Sequence, residues 1–295
     1  MIKIITDSGS DILQEECDKV RVLPLHVSFG EEHYRDGVDL LHETFYEKLI
    51  ETDVLPKTSQ ISPYEFMEAY RQELDADASA GEGQMSDKQI LVITLSSKLS
   101  GTHQSACIAA EEFEGQVYVV DSENVTVGQK CLVMRAVELV EADYGIDEIV
   151  GILEEEKKQI QLIALLDTLE YLKKGGRISS VAAVAADVLK IKPVMKFGVG
   201  KLDVYQKCRG MKNARKAMID AMKKEFETNF KEAYEAGKLY LMAASSSTAE
   251  VTEEWIRQIK ESFPGMDVMC DNLSLGLSCH IGPDGLGIAC CNKAE

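Results

Sequence analysis

Short apolar runs alternate with longer amphipathic segments through the first half of the chain. Runs at Ile2–Thr6, Ile90–Leu95 and Val117–Val120 predict buried strands followed by helices, and Val20–Phe29 predicts one more strand. Near-continuous Val, Ile and Leu runs are typical of parallel strands covered by helices on both faces. The pattern therefore predicts a three-layer α/β/α domain with a mainly parallel sheet.

The pattern changes after about residue 161, where a second α/β domain is predicted. Leu162–Leu166 predicts a strand, and Ser179–Leu189 predicts a helix of small residues. Val194–Gln206 predicts a β-hairpin that turns at Gly198–Lys201. Because a hairpin within strand–helix alternation indicates a mixed sheet, we expect an N-terminal domain at residues 1–161 and a C-terminal domain at residues 162–295. Residues 75–87 lack any apolar period and predict a surface loop.

The charge of the chain is strongly negative but unevenly distributed. The 295 residues include 32 Lys and Arg against 50 Asp and Glu, which gives a formal net charge of −18. Non-specific nucleic-acid binding depends on an excess of Lys and Arg, so the composition argues against that role. Yet residues 173–216 contain 12 Lys and Arg and only two acids, Asp187 and Asp203. This basic stretch is therefore a candidate docking face for an acidic or phosphate-bearing partner.

Apolar content and cysteine usage indicate a cytoplasmic protein. No apolar run approaches the roughly 18 residues of a membrane span, and the first apolar run meets Asp7 too early for a signal peptide. The eight cysteines form no CxxC pair and sit mostly in apolar strings, as expected of small buried residues in a reducing compartment. Adjacent Cys290 and Cys291 are expected on opposite faces of one strand.

Hydroxyl side chains cluster where a predicted strand ends and a helix begins. Thr94–Thr102 contains four hydroxyls and a glycine after Leu95. Ligands bind beyond the carboxyl ends of strands in open α/β sheets, and a helix start favours anions. This segment is therefore a candidate anion site, although Ser100 or Thr102 can equally serve as a helix cap.

Two further segments carry candidate binding groups. Thr58 and Ser59 precede Ser62, which with Pro63 and Glu65 forms a capping box and is therefore structural. His280 lies in a short segment expected between two strands, where it is either a hydrogen-bonded structural residue or presented to a cleft. Because no metal-ligand spacing, nucleotide loop or GxSxG motif occurs, we expect no metal and no cofactor.

Several motifs in order along the chain resemble the DegV family of bacterial fatty-acid-binding proteins. They include Thr6-Asp7-Ser8, Lys57–Gln60, Ser96–Thr102 (SSKLSGT), Leu169–Ser179 (LEYLKKGGRIS), Ile191–Pro193, Arg209-Gly210 and His280–Pro283. The resemblance implies two α/β domains with a long-chain fatty acid in a buried inter-domain tunnel. It also implies that Thr58 and Ser97, with Ser96 as second choice, hold the carboxylate near His280.

The resemblance further implies that the chain is a carrier and not a catalyst. Such proteins present the fatty acid to a separate ATP-dependent fatty-acid kinase, and Arg177 and Arg209 are the candidates for the kinase-facing surface. Two departures stand out: Asp284 separates Pro283 from Gly285, and Ile61 replaces a usual proline. Both leave the proposed ligand oxygens untouched.

Two other functions stay open. A subunit resembling dihydroxyacetone kinases would hold a small carbonyl compound on His280, and a small polar pocket would favour it. A hydrolase using Ser97 or Ser100 has no base at a recognisable spacing.

Overall fold

The computed structural model describes residues 1–51, 54–75, 88–178, 191–198 and 200–293. The predicted loop at residues 76–87 and the predicted small-residue helix at residues 179–189 lie outside these ranges. So does residue 199 in the predicted hairpin turn.

A parallel four-stranded sheet forms from the first half of the chain, as predicted. Its order is β2-β1-β6-β7, where β1 is Ile2–Asp7, β2 Val20–Leu23, β6 Gln89–Thr94 and β7 Val117–Asp121. All three pairings are parallel. Ile5, Leu91 and Val92 are fully buried, which explains why these strands read as continuous apolar runs.

The segment Val20–Phe29 is two strands and not the single strand that its composition predicts. Pro24 interrupts it, since proline has no N–H for a ladder, and the N–H of Leu25 donates to Ser8 Oγ at 3.0 Å. The second part joins a separate antiparallel sheet of order β4-β3-β5, with β3 at His26–Phe29, β4 at Glu32–Arg35 and β5 at Lys57–Ser59. This small sheet places Thr58 opposite Val27.

The second half of the chain builds a mixed six-stranded sheet of order β10-β9-β8-β13-β11-β12. Its strands are β8 Gln161–Leu165, β9 Ile191–Gly198, β10 Lys201–Arg209, β11 Leu239–Ser245, β12 Val268–Asn272 and β13 Leu286–Asn292. Strands β9 and β10 pair antiparallel as the predicted hairpin, and β11 and β12 pair parallel, whereas the other described pairings of this sheet are antiparallel. The mixed sheet is therefore confirmed, while the domain division at residue 161 stays a prediction.

Ten α-helices occur in the described ranges. They are α1 His42–Glu51, α2 Pro63–Asp75, α3 Thr102–Ala110, α4 Thr126–Glu141, α5 Ile146–Glu156, α6 Glu170–Lys174, α7 Met211–Glu227, α8 Lys231–Glu235, α9 Ala249–Ser262 and α10 Leu275–Ile281. Helix α2 begins with the predicted capping box, in which the Ser62 N–H donates to Glu65 Oε2 at 2.8 Å and the Glu65 N–H donates back to Ser62 Oγ at 3.3 Å.

Helix α4 joins the two sheets into one packed structure. It contacts β1 and β6 of the parallel sheet and β11 and β13 of the mixed sheet. Most of its side chains are buried, as expected of a helix covered on several sides. On β13, Cys290 packs in the core on the far side of the mixed sheet, and Cys291 packs in the core beside α4. The two thiols thus face opposite sides, as predicted.

No helix in the described ranges is both long and apolar enough to cross a membrane.

Candidate functional site

A cavity of about 340 Å³ lies where the parallel sheet, the small antiparallel sheet and the mixed sheet meet. This volume falls near the lower end of the roughly 300–1,000 Å³ typical of small-molecule sites. Most of its wall is apolar, formed by Leu25, Leu95, Leu99, Val125, Leu162, Ala164, Leu166, Leu172, Phe197, Leu202, Leu273, Leu277, Ile281 and Leu286. Polar groups on the wall are Thr58, Ser59, Gln60, Ser100, Thr126, Arg177 and His280.

Thr58 and His280 meet on the cavity wall although 222 positions separate them. Thr58 Oγ1 lies 2.9 Å from His280 Nε2. The sequence places His280 in a loop, but it occupies the last turn of α10, a helix of seven residues. The helix axis, and not a turn, therefore sets where the imidazole points.

The imidazole of His280 is neutral at physiological pH. Burial, reinforced by the nearby Arg177 guanidinium, lowers the pKa of His280 from 6.5 to about 4. Nδ1 is buried and has no hydrogen-bond partner among the described residues. An unpaired ring acceptor is easier to tolerate than an unpaired N–H. We therefore infer that the proton sits on Nε2 and is donated to Thr58 Oγ1.

Gly175 makes room for this histidine. A Cβ built on Gly175 would lie 2.1 Å from His280 Nδ1, so no larger residue fits without moving the ring. Gly101 plays the same role between the two hydroxyl motifs, because its Cβ would lie 1.8 Å from Gln60 Oε1. The glycines of the GGRIS and SSKLSGT motifs thus allow close approach of the elements that carry the polar groups.

The three serines of the SSKLSGT motif have different surroundings. Ser96 is buried, and its Oγ donates to the Gly200 carbonyl at 2.7 Å. Ser97 is exposed, and its N–H donates to the Asp121 carboxylate at 3.2 Å. Neither serine lines the cavity, whereas Ser100 does. The predicted contact of Ser97 or Ser96 with a ligand is therefore not what this geometry favours.

The sequence alone does not decide whether Ser100 caps a helix or binds a ligand. Its Oγ accepts the Thr102 N–H at 3.2 Å and lies 3.0 Å from Thr102 Oγ1. The hydroxyl therefore satisfies a free N–H at the start of α3, and Ser100 also lines the cavity. The position of Ser100 two residues before the first residue of α3 was the available signal, because helix starts favour anions.

The two candidate arginines are separated by the structure. Arg177 lines the cavity, and its Nε and Nη1 donate to the carbonyls of Leu99 at 3.1 Å and Gly175 at 2.8 Å. Arg209 ends β10, is exposed and does not line the cavity. Arg177 is thus a cavity residue as well as a candidate for the kinase-facing surface.

Acidic partners neutralise part of the basic stretch at residues 173–216. Among the described residues, its ion pairs include Lys174–Glu170, Lys192–Asp167, Lys196–Glu225, Lys201–Asp203, Arg215–Glu254 and Lys216–Asp220. Five of these acids lie outside the stretch, so its excess charge is much smaller in the fold than in the sequence. Within the described ranges no group of three or more His, Cys, Asp or Glu side chains could hold a metal ion.

The chain is similar to known proteins along nearly its whole length. The DegV family model matches residues 1–293. A DegV domain-containing protein of Caldanaerobacter subterraneus is 32% identical over 290 residues, 97% of each chain.

Solved structures of the same kind superpose along nearly the whole chain. A fatty-acid-binding DegV family protein from Thermus thermophilus has a TM-score of 0.86 at 30% identity and covers 99% of both chains. A stearic-acid-binding protein from Eubacterium ventriosum has a TM-score of 0.84 at 25% identity, again with 99% of both chains covered. From the family match and the full-length relative, this chain belongs to the DegV family.

Proposed function

We propose that this protein binds a long-chain fatty acid in the cavity and presents its carboxylate to a separate fatty-acid kinase. The observation that carries the proposal is the composition of the wall, which is apolar except for the hydroxyls, amide, imidazole and guanidinium described above. An acyl chain fits the apolar part and a carboxylate fits the donors. Family members of known structure that bind fatty acids support the same assignment.

The donors for the carboxylate are Thr58 and Ser100. Because His280 donates to Thr58 Oγ1, the Thr58 hydroxyl proton is free to point at the ligand. Ser100 lines the same cavity from the start of α3. Hydrogen bonds from such donors offset the cost of burying a carboxylate. Since His280 is neutral, it acts through Thr58 and adds no ion pair.

The acyl chain supplies most of the affinity. Each methylene removed from water contributes about 0.8 kcal/mol, so the affinity should rise steadily with chain length until the cavity is full. A small carbonyl compound held on His280 would leave the leucine-rich wall unused, which argues against the reading as a dihydroxyacetone-kinase-like subunit.

The binding proposal is tested by removing lipid from the purified protein and titrating it with oleate and stearate. Thr58→Val and Ser100→Ala should each weaken binding by roughly 10-fold or more, since hydrogen bonds to charged groups contribute about 1.5–3 kcal/mol. Ser97→Ala is the matched control, because Ser97 lies in the same motif but off the cavity, and it should bind normally. The proposal would be refuted if the purified protein carried no fatty acid and also bound none of the fatty acid that was added. An effect of Ser97→Ala as large as that of Ser100→Ala would refute the choice of serine.

The kinase-facing surface is proposed to include Arg177, at the cavity, and Arg209, on the adjacent edge of the mixed sheet. Strand β10 is the edge strand of that sheet, and Arg209 has no ion-pair partner among the described residues. Transfer of phosphate from ATP would take place in the cytosol, and the eight free cysteines suit that reducing compartment.

The kinase proposal needs an assay that separates docking from binding. Arg209→Glu should lower the rate of acyl-phosphate formation by a fatty-acid kinase and leave the oleate affinity unchanged. Lys216→Glu is the control, because Lys216 already pairs with Asp220 on the surface. Equal losses in kinase rate for the two variants would contradict a specific role for Arg209.

A further inference from the structure

Helix α10, which carries His280, is held at its N-terminal end by carboxylates from the start of the chain. Asp36 accepts the N–H of Leu275 on Oδ1 at 2.9 Å and the N–H of Gly276 on Oδ2 at 3.1 Å. Asp11 accepts the N–H of Ser274 on Oδ1 at 2.9 Å. Asp36 and Asp11 are both buried. The first free N–H groups of the helix are thus satisfied by residues more than 230 positions away.

Asp36 also fixes the opposite wall of the cavity. Its Oδ2 accepts the Ser8 hydroxyl at 2.8 Å, and Ser8 Oγ in turn accepts the N–H of Leu25 at 3.0 Å. Leu25 and Gly276 both line the cavity. A Cβ on Gly276 would lie 3.1 Å from Leu25 Cδ1 and 3.4 Å from Asp36 Oδ2. One carboxylate therefore sets the spacing between the small antiparallel sheet and α10.

The helix is short enough for this anchor to control its far end. Its seven residues span about 10 Å at 1.5 Å per residue, and isolated helices of this length are unstable in water. Its direction is therefore set by its tertiary contacts. At the other end the imidazole must meet Thr58 at 2.9 Å while fitting against Gly175. A small rotation about the N-terminal end would break that contact.

We propose that Asp36 is a positioning residue for the head-group site, acting through helix α10 to place His280 against Thr58. The functional part of this inference rests on the proposed fatty-acid binding. The anchoring itself does not, because every contact named above joins two groups of this chain.

The test compares Asp36→Asn with Asp39→Asn. Asp39 lies three residues further on, is exposed and pairs with Arg35, so its substitution removes a nearby carboxylate without touching α10. The first readout is the Nε2–H signal of His280 in ligand-free protein with ¹⁵N-labelled histidine. Asp36→Asn should shift or broaden this signal and weaken oleate binding by about 5- to 20-fold, the loss of roughly one hydrogen bond to the head group. Asp39→Asn should match the wild type in both.

A purely structural role for Asp36 makes a different prediction. Asp36→Asn would then unfold at lower urea concentration but keep the wild-type His280 signal and oleate affinity in its folded state, and this result would overturn the proposal. Should Asp36→Asn fail to fold, Asp36→Glu moves the carboxylate by one methylene relative to the N–H groups of Leu275 and Gly276, and an unchanged His280 signal in that variant would also overturn the proposal. If wild-type protein binds no fatty acid, the proposed function fails, while the His280 signal still tests the anchoring.

Discussion

Replacing Gly175 with alanine should disturb the head-group site from outside the cavity. The added Cβ would lie 2.1 Å from His280 Nδ1, against 3.4 Å or more for an ordinary contact. The imidazole must therefore move by about 1.3 Å, because the new methyl and Nδ1 cannot approach closer than van der Waals contact. Such a shift is enough to break the 2.9 Å contact with Thr58.

The expected cost follows from the geometry. Forcing an extra methyl into a packed site costs typically about 1–3 kcal/mol. The backbone of Gly175 is right-handed, at φ −76°, so alanine brings no conformational strain of its own. Most of the cost should thus come from His280, because the Tyr171 carbonyl oxygen would lie 3.1 Å from the new Cβ, a milder contact. In a His280→Ala background, where the ring is absent, Gly175→Ala should change the free energy of unfolding by no more than about 0.5 kcal/mol.

Urea unfolding of the four proteins in this double-mutant cycle measures the coupling between the two positions. Gly176→Ala provides the control, since Gly176 lies at φ +73° with nothing within 4 Å of its Cβ. Its cost of about 1–2 kcal/mol comes from left-handed strain and should be the same in both backgrounds. Oleate affinity should fall about 10-fold in Gly175→Ala. Equal costs of Gly175→Ala with and without the His280 ring would refute the argument.

Three further predictions concern pH and backbone strain. Burial raises the pKa of Asp7 to about 7, so the unfolded chain loses this proton at a lower pH than the folded protein does. The free energy of unfolding should therefore fall by about 3 kcal/mol between pH 4 and pH 7, and Asp7→Asn should flatten this slope in urea unfolding curves. The pKa of His280, lowered to about 4, predicts that its NMR signals stay those of a neutral ring down to pH 5, and titration near 6.5 would contradict this. Asp284 sits at φ +63° and accepts the Ser247 hydroxyl at 2.6 Å, so Asp284→Ala should cost about 1–2 kcal/mol. Asp284→Gly, which loses the same bond without the strain, should cost less by differential scanning calorimetry.

Local pattern was enough to predict the parallel sheet and the hairpin. Both depend on runs of apolar residues and turn glycines that lie close together in the chain. The single strand predicted at Val20–Phe29 was wrong, because β-propensity does not reveal where a strand changes its pairing partner. Here the change follows from Pro24 and from the hydrogen bond between the Leu25 N–H and Ser8.

The site was harder to predict because its geometry depends on distant contacts. Residues 95–101 form no periodic element, so the sequence could not indicate which serine faces the cavity. The helical position of His280 depends on Asp11 and Asp36, which lie more than 230 positions earlier. Residues 173–216 likewise carry a large positive charge in the sequence, but in the fold acids from other segments form ion pairs with several of their cations.

The electrostatics of the cavity fit a carrier better than a permanent binding site. Among the described residues Arg177 is the one charged group on the cavity wall, and it is exposed, with Nε and Nη1 already donating to carbonyls. Exposed ion pairs contribute only about 0–1 kcal/mol, so Arg177 cannot lock a carboxylate in place. Retention then depends on the apolar wall, where each methylene contributes about 0.8 kcal/mol. In the proposed complex the carboxylate end would be held by neutral donors, and this fits the proposed transfer of phosphate to it by a kinase while the acyl chain remains buried.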